Sequence, residues 1–300
     1  MSDCGASSES CCVSLEVTGG VFYRTYNNSG NGPTNEADPA TVSSFRLDKY
    51  VVTVGRFRRF ADAWDAGYRP PAGSGKHTHL NGGQGLANAG ADANLAYEPG
   101  WVVADESDVT PMDTVAQMWT WPPPWFGPLT PALEHMPMNS VNWYESYAFC
   151  IWDRGFLPSE AEYEYAAAGG NQQREYPWGT TAPGTSNAYA IYNCNYPNGG
   201  DGRCTNTAQN LAPVGTATQG AGLWGHLDLV GDVLEWNLDW YASSYVNPCS
   251  DCAYLVAKSQ KAFRGTTCAA PIWSLLPTDR GGSMPTWRDG TLGFRCARSP

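Results

Sequence analysis

The chain has 300 residues, enough for a substantial core in one large or two small domains. Glycine (33), proline (22) and tryptophan (13) are abundant, which favours short elements joined by loops over a helical bundle. A net charge of −11, from 18 basic and 29 acidic residues, excludes the basic patch that nucleic-acid binding needs. No apolar run reaches membrane-spanning length.

In chain order, residues 1–14 form a cysteine-containing head with Cys4, Cys11 and Cys12. Adjacent cysteines bond to each other poorly, so Cys11 and Cys12 are expected to have different partners. Val13–Tyr26 alternates apolar and polar residues around Gly19-Gly20 and reads as a hairpin, with 27–39 a turn-rich loop. Phe45–Val52 is strand-like, and Thr53 caps a predicted helix running to about Trp64. Residues 69–137 form a divergent insertion without regular pattern. It contains His77-Thr-His79, a metal pair or a polar loop, and the aromatic-proline cluster Trp119–Phe126, a stacking platform or a packed lid. Asn142 with Glu145, and Ser159 with Glu162, are capping boxes for helices over 142–152 and 159–168. Glu160 and Glu164 lie one turn apart on the second helix and read as surface charge. The remainder is short strands and loops. No linker separates two halves, so residues 15–300 are expected to form a single domain.

Ten cysteines, few at zinc-like spacing, point to an oxidising compartment. Cys194 and Cys204 bracket a turn and are expected to close a local loop. Cys249-Ser-Asp-Cys252 reads as a disulfide in preference to a zinc or redox site, because no second ligand pair accompanies it. Met1–Ala6 has neither a basic nor an apolar leader segment, so the extracytoplasmic expectation rests on the cysteines, with any leader outside this sequence.

Gly222-Leu-Trp-Gly-His-Leu-Asp-Leu-Val-Gly-Asp-Val-Leu-Glu-Trp236 sets Asp228 and Glu235 within an apolar pattern. Carboxylates so placed must be paired, hydrogen-bonded or bound to a metal. Gly231 lets the backbone fold back, and hard oxygen ligands suit Ca²⁺; the alternative is a buried turn braced by its own N–H groups. This stretch resembles the "G-L-x-D-M-x-G-N-V-x-E-W" signature of the formylglycine-generating enzyme, or sulfatase-modifying-factor, family. Further blocks agree in order: Phe45–Phe57, Pro137–Glu145, Phe156–Ala167, Tyr176-Pro-Trp-Gly179 and Leu292-Gly-Phe-Arg-Cys-Ala-Arg298.

The resemblance implies an α+β, modified C-type-lectin-like fold with little regular structure and bound calcium. It implies Ca²⁺ ligands from the side chains of Asp228 and Glu235 and the backbone of Gly231 and Val233. Asn187 and Asp201 are the candidates for a second site. It also implies a disulfide between Cys150 and Cys296. Active members oxidise a substrate cysteine with Cu(I) held by two thiolates, a soft-ligand site. Six and eleven residues after Arg264, where those cysteines belong, stand Ala270 and Leu275. Cys268 is the nearest sulfur in sequence, and one thiolate cannot make the two-sulfur site. Cys268 is therefore expected in a disulfide, with Cys11 or Cys12 as partner. A second branch of the superfamily uses histidine-bound iron, but His77, His79, His135 and His226 lack facial-triad spacing. No Gly-x-Ser-x-Gly, His-Glu-x-x-His or phosphate loop is present. The expectation is an extracytoplasmic member that lacks the copper site and acts as a binding or interaction module for a protein, peptide or glycan. The alternative is an oxidase with rearranged ligands.

Overall fold

A computed structural model describes residues 2–6, 8–92, 94–111, 131–197, 199, 204 and 210–300. The Trp119–Phe126 cluster and Asp201 lie outside the described residues. The strands, in chain order, are β1 Ser2–Cys4, β2 Glu9–Ser10, β3 Ser14–Val17, β4 Gly20–Asn27, β5 Thr34–Val42, β6 Phe45–Asp48, β7 Ala87–Asn88, β8 Leu234–Trp240, β9 Cys249–Ser250, β10 Cys252–Ala253, β11 Lys261–Gly265, β12 Arg280–Ser283, β13 Leu292–Gly293 and β14 Ala297–Arg298. The α-helices are α1 Val54–Asp65, α2 Trp143–Trp152 and α3 Glu160–Ala168. Among the described residues no helix is long and apolar enough to cross a membrane.

Each helix begins where its own sequence supplies a cap. Thr53 Oγ1 accepts from Arg56 N at 3.3 Å. Asn142 and Ser159 each accept from the N3 amide while Glu145 and Glu162 reach back to the cap N–H, which satisfies two orphan donors at each start. Gly169, at φ 68°, takes the left-handed conformation that ends α3. Along α1 the buried face is Val54, Phe57, Phe60, Ala61 and Trp64, an i, i+3, i+4 stripe. Phe57 and Phe60 meet Phe149 of α2, and Phe57 and Phe149 both meet Phe294. Every residue of α3 is buried, as its alanines and tyrosines allow.

The amino-terminal strands pair differently from the sequence expectation. Val13–Tyr26 is not a hairpin: β3 joins β6, and β4 pairs antiparallel with β5. Gly19 serves close packing in place of a turn, since a Cβ there would lie 2.5 Å from Val42 O. The supposed loop 27–39 holds most of β5, and its Pro39 faces Tyr23 at a point where β9 has not yet joined.

The central sheet, ordered β12-β11-β8-β13, does most to position the site. The Leu227–Val233 turn feeds directly into β8, the chain leaving β11 carries Cys268, and Arg295 follows β13. Three segments distant in sequence are thereby brought to one end of one sheet, with Arg264 opposite Glu235 in register.

Candidate functional site

At this end of the sheet the charges are buried and paired in a pattern that the sequence did not disclose. Glu235 accepts from Arg295 Nε at Oε2 (2.7 Å) and from Arg295 Nη2 at Oε1 (2.7 Å). Tyr163 OH adds a third donor to Oε1 at 2.8 Å. The same guanidinium donates to the carbonyls of Leu227 (3.1 Å) and Asp228 (2.9 Å), and from its other nitrogen to Asp48 and Lys49. A fully buried arginine thus braces the turn from inside. Burial would lower its pKa, but Glu235 outweighs that and holds it charged.

Asp228 and Asp232, both at positive φ, turn to the neighbouring 210–215 segment. Asp228 Oδ2 accepts from Gly215 N at 2.6 Å, and Asp232 Oδ1 from Ala212 N at 3.0 Å. Burial pushes the Asp228 pKa up to about 6, and burial followed by the Asp228 charge raises Asp232 well above the carboxylate range. Asp228 Oδ1 meets no hydrogen-bond donor among the described residues. Asn187, at φ 60°, donates to Asn195 O at 3.3 Å and keeps a buried Oδ1 that no described donor meets.

Of the two copper positions, Leu275 is sealed in the apolar core and Ala270 is half-buried. Cys268 is 0% exposed; its N–H donates to Asp232 O and its carbonyl accepts from Cys194 N, both at 2.8 Å. Burial, then the nearby Asp232, raises its thiol far above the ordinary cysteine range, so it stays protonated. Leu275 is also 0% exposed and packs with Tyr176, Ala190, Tyr192 and Val230. Ala270 donates to Thr267 O and accepts from Asn193 N. The neighbouring Cys194 is tied to Cys204.

The other disulfides are Cys150–Cys296, linking α2 to the end of the chain, Cys249–Cys252 between β9 and β10, and Cys4–Cys11 in the head. The expected bond from Cys268 to the head is not made. Cys11 is satisfied within its own short loop by Cys4, Cys12 is an exposed thiol, and Cys268 lies in the core.

Two further readings need correction. Glu160 and Glu164 are buried and not surface charge, because their face of α3 packs on β11 and meets Arg280 from β12. Arg264 Nη2 reaches Glu164 at 2.6 Å and Glu160 at 3.1 Å, and Arg280 Nη2 reaches Glu160 at 2.8 Å. His77 lies in a polar loop, as expected, but its side chain does not face solvent. Its Nδ1 faces Glu98 and its Nε2 faces Glu162, each at 3.0 Å, in complete burial. His79 stacks on Phe156. Arg24 and Tyr245 were not singled out from the sequence. The one available signal was the scarcity of basic residues, which makes each buried arginine informative.

Few helices, short strands around a small mixed sheet, and disulfide cross-links define an α+β protein of the modified C-type-lectin-like fold. The pattern for the sulfatase-modifying factor enzyme 1-like domain matches residues 5–300, and the chain belongs to that family. Formylglycine-generating enzyme of Streptomyces coelicolor is 28% identical over 93% of this chain and 85% of the relative. Inactive C-alpha-formylglycine-generating enzyme 2 of Mus musculus is 32% identical over 55% of this chain and 49% of the relative, so that match spans about half of each. PvdO from Pseudomonas aeruginosa superposes with a TM-score of 0.59 at 19% identity, covering 96% of this chain and 94% of that structure.

Proposed function

We propose that this chain is an extracytoplasmic, formylglycine-generating-enzyme-like protein that has lost the copper site and works as a binding or interaction module. The observation that carries the reading is the state of the copper positions. One is an alanine, the other a leucine sealed in an apolar cluster, and the sulfur near them is a buried, protonated thiol. Cu(I) selects exposed, deprotonated thiolates, and two are needed for a linear site. These residues do not fit the metal. The disulfides support an oxidising compartment.

Calcium is the cofactor this reading retains. Asp228 supplies a desolvated carboxylate with one oxygen free of described hydrogen bonds, and Asn187 supplies an orphaned amide oxygen. Both suit a hard cation. Glu235 would contribute only the capacity that Arg295 and Tyr163 leave on its oxygens.

The test is to load the protein with Cu(I) against a competing chelator and to follow a cysteine-containing sulfatase peptide by mass spectrometry. No stoichiometric copper and no aldehyde product are expected. Aldehyde formation that depends on Cys268 would replace this reading with that of an oxidase with rearranged ligands. For calcium, the readout is the melting curve: EDTA lowers it in the wild type and leaves Asp228→Ala unchanged. A wild-type curve indifferent to EDTA and to added calcium removes the ion.

A further inference from the structure

A groove of about 600 Å3 opens between β4, the 242–247 loop and the chain entering β12. Arg24, Tyr245 and Arg280 lie deep in it, and Thr25, Ser244 and Thr278 stand around them. The two guanidiniums flank the Tyr245 ring, 4.3 Å and 4.4 Å from its centroid, and so are held in place.

Their charges are not balanced alike. Arg280 pairs with Glu160, and Arg264 behind them pairs with Glu160 and Glu164. Arg24, only 5% exposed, forms no ion pair among the described residues. Its Nε donates to Asp38 O (3.2 Å), and its Nη2 to Val246 O (3.0 Å) and Asn247 Oδ1 (2.9 Å); all of these acceptors are neutral. Nη1, with two N–H groups, meets no acceptor among the described residues. The Asp38 carboxylate turns instead to Thr25 Oγ1 and Asn247 Nδ2, each at 2.7 Å. Desolvation is the largest influence on Arg24, and Tyr245, Glu164, Asp239 and Asp38 oppose it only through space. A buried guanidinium with donors to spare, facing a groove, is a ready partner for an anion.

The rest of the lining narrows the ligand class. Thr25, Asn27, Ser243, Ser244 and Thr278 present hydroxyls and an amide, and the one carboxylate in the wall, Asp38, is engaged by Thr25 and Asn247. A smaller hollow of about 160 Å3 shares Tyr26, Asn27 and Thr278 and adds Asn28, Ser29 and Thr34, with Glu175, Leu276 and Pro277 completing its wall. One cation without an ion pair is too few for a polyphosphate backbone. Hydroxyl and amide groups arrayed beside one positive charge match a hydroxyl-rich ligand that carries one acidic group.

We propose that this groove binds an anionic saccharide, its carboxylate or sulfate group on Arg24 and its hydroxyls along Ser244, Thr278 and Asn27. This names a ligand class for the binding role proposed above and rests on that role. Copper uptake would sink the role, whereas a failed saccharide titration sinks only the ligand. The experiment is a calorimetric titration of the full chain with trigalacturonate, a sulfated disaccharide, the neutral parents of both, and an oligoglutamate peptide. Binding of trigalacturonate alone assigns a carboxylate, and of the sulfated sugar alone a sulfate; the neutral sugars should give no heat. Arg24→Gln should weaken binding by about tenfold or more, the scale of one lost charge-assisted hydrogen bond. Because Arg24 also bonds the Val246 carbonyl and the Asn247 side chain, Ser244→Trp provides an independent block from an exposed position, with the melting temperature unchanged. EDTA should have no effect. The proposal is overturned if neither acidic sugar binds, if the neutral parents bind equally, if both variants bind as the wild type does, or if only the peptide binds.

Discussion

Replacing Arg295 with methionine tests whether an internal guanidinium, and not an ion alone, holds the Leu227–Glu235 turn. The substitution leaves the buried Glu235 carboxylate with only Tyr163 OH and strips a donor from the carbonyls of Leu227, Asp228, Asp48 and Lys49. Breaking a buried pair on one side costs about 3–5 kcal/mol, because the remaining charge stays desolvated. The orphaned carbonyls place this case at the upper end, at about 5 kcal/mol. Glu235→Gln keeps the shape and the carbonyl contacts and should cost less, about 2–3 kcal/mol. The double variant Arg295→Met/Glu235→Met removes the stranded charge, so it should be more stable than Arg295→Met alone. Urea denaturation followed by tryptophan fluorescence, at matched slope, reads all three. An Arg295→Met protein within about 1 kcal/mol of the wild type in EDTA would refute the reasoning, since the turn would then stand without the guanidinium.

Loss of the Cys150–Cys296 bond, through the double alanine variant, opens a closure of 146 residues and should cost about 5 kcal/mol on the chain-entropy model; a change in the thermal midpoint too small to resolve would argue against it. Iodoacetamide should alkylate Cys12 in the native protein and reach Cys268 only after unfolding, which peptide mapping shows directly. Burial opposes the charge on His77, but Glu162 and Glu98 outweigh it and lift its pKa to about 10, against an unfolded value of about 6.5. Its contribution is therefore complete below about pH 6.5, declines from there to about pH 10 and is absent above. The stability gap between the wild type and His77→Gln should shrink across that window, and a gap that widens with pH contradicts the assignment.

The legible parts of this protein were those fixed locally. Asn142 and Ser159 announce their helices because a cap and its N3 glutamate lie within one turn of each other, and Thr53 caps α1 through its side chain alone. The strand partners were illegible for the opposite reason: β3 finds β6 and β4 finds β5, and Gly19-Gly20 looks the same as a turn or as a close crossing. The carboxylates divide in the same way. Asp228 and Glu235 stood out because their sequence neighbours are apolar, but Arg295, which satisfies Glu235, is 60 residues away. Glu160 and Glu164 were misread because helical spacing gives the face they share and says nothing about what covers it. Arg24 depends on β4, the 242–247 loop and β12 meeting, which no local pattern encodes.

The three glutamates of α3 have a consequence for how this scaffold tolerates change. Glu160 is bound to Arg280 of β12, Glu164 to Arg264 of β11, and Glu162 to His77 at the root of the divergent insertion. One short helix therefore clamps two sheet strands and the base of the least family-like stretch through separate charges. Farther along the insertion, Val109 and Leu133 are both buried in the main core, on either side of the Trp119–Phe126 cluster. Both flanks of that stretch are thus fastened to the main core. A charge lost from this one helix is therefore felt in the sheet or at the insertion's root, wherever along α3 the substitution falls.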